Sequence, residues 1–178
     1  MLNQIKVGHA SSKPESALEL LTSCHDHIRH FTSSISKLAH SEGSELAEIS
    51  TAAAAAHRYF SVALPLHEAD EEDSLRPRLL ESGAAEIAPA LEAMTHQHQA
   101  IDDLIERLLP LLILLSNNPA MLPELHGELC TIAKALSEVF AGHLELEERS
   151  IFPAMTTSLS QEAQAQLLAE MRGRRKQG

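Results

Sequence analysis

The chain has no tryptophan, one tyrosine and only 3% aromatic residues, so its interior is not built on stacked rings. Cysteine is almost as scarce. Cys24 and Cys130 are too few and too far apart for a disulfide framework, and a reducing cytoplasm is the expected compartment. Basic residues are in deficit, with 14 Lys and Arg against 25 Asp and Glu, for a net charge of -11 with His neutral. Such a surface repels nucleic acid and anionic membranes, so neither is expected as a partner. The exception is the tail Arg172-Gly-Arg-Arg-Lys176, which reads as a solvated, mobile end. Long apolar runs are missing too. The longest, Leu111 to Leu115 with Leu108 and Leu109 beside it, is interrupted by Pro110 and is far too short to span a bilayer. Met1 to Ser12 holds no stretch of signal-peptide length.

What remains is rich in Ala, Leu, Glu and Gln, all helix formers, in a chain whose 178 residues suit one packed core. The expected class is all-α: an antiparallel up-and-down four-helix bundle with a short C-terminal fifth helix. The expected division is a flexible N-terminus over 1–13, the bundle over 14–155, and a short helix with the basic tail over 156–178. Ser12-Lys-Pro14-Glu15 reads as a capping box opening the first helix, whose stripe is Leu18, Leu21, His25, Ile28, Ile35 and Leu38. The second helix runs from about Glu45 to the mid-70s on Leu46, Ile49, Ala53, Ala56, Phe60, Ala63 and His67, with a kink expected at Pro65 and a turn at Pro77 and Gly83. The third carries Leu91, Met94, His98, Ile101, Ile105, Leu108 and Leu112, an unbroken alternation of threes and fours. The fourth places Leu129, Ile132, Leu136, Phe140 and His143 inward and is expected to close at Pro153. A fifth, from about Ser160 to Arg172, is expected on the outside.

Eleven histidines are the compositional oddity. Four lie in the seams of four different helices, and two of these belong to a repeat. His67-Glu-Ala-Asp-Glu71-Glu72-Asp-Ser74-Leu75-Arg-Pro77 lies over His143-Leu-Glu-Leu-Glu147-Glu148-Arg-Ser150-Ile151-Phe-Pro153. Each copy follows a helix with a seam histidine, His25 or His98, so the chain reads as two helical hairpins. Residues four apart share a helix face, so His67 with Glu71, and His143 with Glu147, can each aim a nitrogen and an oxygen at one point. A single seam histidine is usually a satisfied core residue, and a lone Glu-Glu pair is usually solvated surface. Four imidazoles and two carboxylates converging in one interior would instead be costly without a cation. Imidazole and carboxylate without thiolate suit iron or manganese, with zinc open on affinity grounds.

As a set, Cys24-His25-Asp-His-Ile28, His67 to Glu72 ending at Pro77, His98-Gln-Ala-Ile101, and His143 to Glu148 ending in Ile151-Phe-Pro153 resemble the hemerythrin-like (HHE cation-binding) domain family over about residues 15 to 155. The resemblance implies a non-haem centre of two iron ions with an oxo or hydroxo bridge. It implies metal ligands at His25, His67, Glu71, His98, His143 and Glu147, with Asp102 and Glu148 as further candidates. Asp102 stands where oxygen carriers of the family have a second third-helix histidine. Glu148 has their five-residue spacing from the fourth-helix histidine. Fewer imidazoles and harder oxygen donors point away from simple oxygen carriage, toward iron or redox sensing or slow peroxide or oxidase chemistry. The expected function is a non-haem di-iron protein that binds or senses a small molecule: oxygen, nitric oxide, redox state or iron. The expected partner is a small diatomic ligand or peroxide. The alternatives are a di-iron oxidase or peroxidase and a metal-free helical interaction module. His57 is expected to be packed and hydrogen-bonded, His27 and His96 to have surface or interface roles, and His30 and His40 to be ordinary first-helix positions. His9 and His126 read as lying in weakly structured ends or turns.

Overall fold

A computed structural model describes residues 15–177. Ser12, Pro14, His9 and the N-terminal segment over 1–13 lie outside the described residues. Helix α1 (Ala17–Ala39) opens on Ser16, whose hydroxyl accepts the Glu19 amide at 3.1 Å and satisfies one of the free amides of the first turn. It ends before Gly43, whose φ of 85° is the left-handed conformation glycine adopts without strain. The second rod is one helical run in five parts: α2 (Leu46–Arg58), a π turn at Tyr59–Ala63, α3 (Leu64–Ala69), a second π turn at Asp70–Leu75, and α4 (Arg76–Glu81). The third is α5 (Ala88–Asn117). The fourth joins α6 (Leu122–Leu146), a π turn at Glu147–Ile151 and α7 (Phe152–Ser158), and α8 (Gln161–Gln177) follows. The fold is the expected all-α bundle with a short C-terminal helix. Helix α1 packs on α2 and α6, and α5 packs on α2 and α6, closing the ring.

Proline placement departs from the sequence reading. Pro77 and Pro153 do not end their helices; the second rod continues to Glu81 and the fourth to Ser158. Pro65, Pro77 and Pro153 each sit within the first two residues after a π turn. A proline has no amide to donate and its ring crowds the carbonyl four residues back. The wider π turn opens the helix at that point and absorbs both problems. It also shifts the inward face. Ala63, expected inward, is exposed, and Leu64 is buried in its place; Leu46, at the helix start, is exposed as well.

The seam of α5 is buried as read, with Leu111 and Leu115 added. The apolar interior falls into two clusters. One contains Ile28, Leu64, Ile101, Leu136 and Phe140; the other contains Leu21, Leu75, Met94, Ile151 and Met155. Along each rod the residues between the clusters are polar: His25 between Leu21 and Ile28, His98 between Met94 and Ile101, His67 and Glu71 between Leu64 and Leu75, and Glu147 between Leu144 and Ile151. A polar layer therefore crosses the bundle between two apolar plugs. Leu136 is completely buried in the larger plug, so Leu136→Ala is expected to cost about 2–5 kcal/mol in urea unfolding, through lost transfer energy and a residual cavity. A loss below about 1 kcal/mol would mean that this plug is not packed as described.

Candidate metal centre

The polar layer is where the repeat acts. His67 and Glu71 are four apart at the second π turn, and His143 and Glu147 are four apart at the third, so each pair shares a face that the turn rotates inward. His25 on α1 and His98 on α5 meet them from across the bundle. All six side chains are buried, both glutamates completely. Glu71 places Oε1 3.3 Å from His67 Nε2 and Oε2 3.2 Å from His98 Nε2. Glu147 places Oε1 3.3 Å from His143 Nε2 and Oε2 2.9 Å from His25 Nε2. Each carboxylate thus spans two imidazoles from different rods. The imidazoles pair as His25 with His67, ring centroids 5.4 Å apart, and His98 with His143, 4.7 Å apart.

The donor atoms form two groups, His25, His67, Glu71 and Glu147 in one, and Glu71, His98, His143 and Glu147 in the other, each with its atoms within 4.8 Å of one another. Both glutamates belong to both groups, and each offers one oxygen to each. The inner atoms are close but not aligned for hydrogen bonding. Both oxygens of Glu71 and of Glu147, and Nε2 of His25, His67 and His98, are buried without a hydrogen-bond partner among the described residues. Orphaned buried acceptors facing one another are a costly arrangement that a cation resolves. The residues present therefore fit a metal.

A family model for the hemerythrin HHE cation-binding domain matches residues 16–155. The chain belongs to this family. No curated protein and no solved structure matches the chain. Family and buried cluster together make this hemerythrin-family chain a metal-binding protein.

The outer edges of the imidazoles explain why each repeat carries two consecutive glutamates. Glu148 does not join the inward set. Its Oε1 lies 2.9 Å from His25 Nδ1 and accepts from Arg29 at 2.6 Å. Glu72 does the same for His98, at 2.9 Å from Nδ1, and also accepts from Thr95 at 2.7 Å. In each Glu-Glu pair the first residue faces the centre and the second grips the back of a histidine on another rod. A carboxylate on Nδ1 sets the tautomer that leaves Nε2 free to ligate, and makes it a stronger donor. Gln97 Oε1 takes the corresponding role at His143 Nδ1, at 3.2 Å. Sequence reading missed Glu72 and Gln97, although Glu72 stood inside the repeat. Asp102 is exposed and outside the cluster, because the α5 seam steps from His98 to Ile101 and Ile105 and leaves position 102 on the flank. His27 and His96 are exposed, as expected, and so are His30 and His40. His57 is half-buried but makes no hydrogen bond to a described residue. His126 lies within α6, not in a turn, with Nδ1 2.8 Å from the Ala39 carbonyl oxygen.

Without cations the layer is driven to neutrality. Burial raises Glu147 to about 8, with the charge of Glu71 adding to the rise, and burial raises Glu71 well above the carboxylate range. Burial lowers His143 to about 3, and it lowers His67 well below the imidazole range, the neighbouring histidines adding to both. Glu148, near solvent, goes the other way: burial opposes its charge, but hydrogen bonds with His25 and Arg29 outweigh that and hold it below its ordinary value.

These shifts set the pH response of the metal-free protein. Glu147, at 4.5 unfolded and about 8 folded, keeps a proton in the folded state that the unfolded chain loses, so stability falls as pH rises from 4.5 to 8. His143, at 6.5 unfolded and about 3 folded, takes a proton only when unfolded, so stability falls as pH drops from 6.5 to 3. Between 4.5 and 6.5 the two slopes oppose. Urea unfolding of chelator-treated protein is expected to show a plateau of stability across that window and a decline on either side. A maximum at pH 8 or above would contradict the buried, neutral layer.

Proposed function

We propose that the centre holds two iron ions, one in each His-His-Glu-Glu group, and that the protein binds or senses a small molecule there: oxygen, nitric oxide, redox state or iron itself. The observation that carries this reading is the division of each buried carboxylate between two imidazole pairs, which is the arrangement a pair of bridged cations requires. His25, His67, Glu71, His98, His143 and Glu147 are the proposed ligands. Iron or manganese suits their nitrogen and oxygen donors, with zinc next. When bound, such ions supply redox chemistry and positions for a small ligand, since four protein donors per ion fall short of an octahedral set.

The surroundings limit the ligand's size. Apolar plugs seal the layer above and below, and a cleft of about 320 Å³ lined by Leu20, Cys24, Tyr59, Ala63, His67 and Arg175 reaches it from one side only at His67. A larger cavity, about 580 Å³, lies on the outer side of Glu148 and Arg29 and touches none of the six inward residues. A molecule of a few atoms fits this enclosure better than a metabolite does. Among the described residues no helix is long and apolar enough to cross a membrane.

Protein loaded with ferrous iron is expected to hold two irons per chain and to develop a charge-transfer absorption band on addition of oxygen, azide or nitric oxide. Iron bound without any ligand-dependent band would remove the small-molecule reading and leave a structural or storage site. Loading is also expected to release protons at pH 7, because the protonated Glu147 must ionise to ligate. At a metal concentration a hundred times the dissociation constant, the ions should add about 2.7 kcal/mol to stability for each site, seen as a fall in melting temperature when a chelator is added. A melting temperature indifferent to chelator would favour the metal-free interaction module.

A further inference from the structure

The two halves of the centre carry the same donors under different covers. The internal repeat lays Asp70 over Leu146, and the residues preceding His25 and His98 are Cys24 and Gln97. In the His98–His143 half, Gln97 holds His143 Nδ1, and Leu146 packs against the smaller apolar cluster. In the His25–His67 half, Nδ1 of His67 is buried with no hydrogen-bond partner among the described residues, and the cover comes from α8. Arg174 donates to Asp70 Oδ1 at 2.9 Å and to the Ser74 hydroxyl at 2.7 Å. Arg175 lies 2.7 Å from Asp70 Oδ2 and donates to Cys24 Sγ at 3.4 Å.

The basic tail is therefore not the solvated end that composition suggests. Leu167, Leu168 and Met171 of α8 are buried in the smaller cluster, so a packed helix delivers the two guanidiniums to one carboxylate. Asp70 is completely buried, immediately precedes Glu71, and shares its π turn. Through Asp70 and Cys24, Arg175 also ties the rod carrying His67 and Glu71 to the helix carrying His25.

We infer that Arg174 and Arg175 are positioning residues for the His25–His67 half: Arg174 anchors Asp70, one helical turn beyond His67, and Arg175 joins Asp70 to Cys24, the neighbour of His25, so the metal position held by these two imidazoles depends on the C-terminal helix more than the other, with which it shares Glu71 and Glu147. This rests on the metal reading above. The Gln97 half supplies its own cover within the bundle. The arginines contact Asp70, Ser74 and Cys24 and none of the six inward donors directly, so their loss disturbs the positions of existing donors without removing any.

The test is titration of the chelator-treated protein with cobalt(II), followed by absorption, for wild type and the R174A/R175A variant. Loss of an orienting partner typically weakens a metal site by about 10- to 100-fold. One of the two cobalt ions is expected to weaken by at least about tenfold while the other stays within about threefold, and R174K/R175K is expected to recover most of the loss. The stranded Asp70 charge could instead unfold the variant, so D70N/R174A/R175A is titrated alongside and is expected to show the same one-sided weakening in a folded protein. Equal weakening of both ions, or two undisturbed ions in the folded variants, would overturn the inference and leave the metal reading standing. A wild-type protein that takes up no cobalt(II) would overturn the metal reading itself.

Discussion

Two carboxylates and four imidazoles, closed off from water, share one layer of this bundle. The rest of the architecture follows from keeping them there. Desolvation makes their charged forms expensive, yet the layer cannot be repacked with apolar groups without losing its donors. Above it lies the larger apolar cluster around Leu136 and Phe140, and below it the smaller one around Leu75 and Ile151. These plugs supply the hydrophobic stabilisation that tolerates a polar layer, and they deny water the access that would satisfy it. Cations are the remaining partner able to meet four orphaned carboxylate oxygens at once.

Precision in such a layer comes from its outer ring. Glu148 behind His25, Glu72 behind His98 and Gln97 behind His143 fix ring orientation and tautomer from the side facing away from the centre. Two of these three are the second residue of a Glu-Glu pair, so one short segment contributes both a donor to the centre and a brace for a histidine on another rod. The π turns make this economy workable. The second and third widen the helix at the point where inward glutamate and outward brace must diverge, and each is followed by a proline that the widened turn accommodates. The site and the irregular backbone are one feature.

Much of this was legible in the sequence, for definite reasons. The α5 seam, an uninterrupted heptad-like pattern, was read residue for residue, and the His-x-x-x-Glu repeat named the six residues that converge. Proline misled at Pro77 and Pro153, because the π turn before each one lets the helix run on past the residue expected to end it. The first π turn moved the buried position from Ala63 to Leu64. The braces were invisible to periodicity, since Glu72 and Glu148 lie off the seam and act across the bundle. Arg174 and Arg175 looked like an ordinary cationic end; only the packing of Leu167, Leu168 and Met171 brings them to Asp70.

The central claim is that cations occupy the space between the two imidazole pairs. Crystals of the iron-loaded protein, with diffraction collected on either side of the iron absorption edge, address it directly. The account predicts two anomalous peaks in the polar layer, one beside His25 and His67 and one beside His98 and His143, with Glu71 and Glu147 each reaching both. A layer without anomalous signal, its glutamates hydrogen-bonded to protonated histidines or to water, would contradict it.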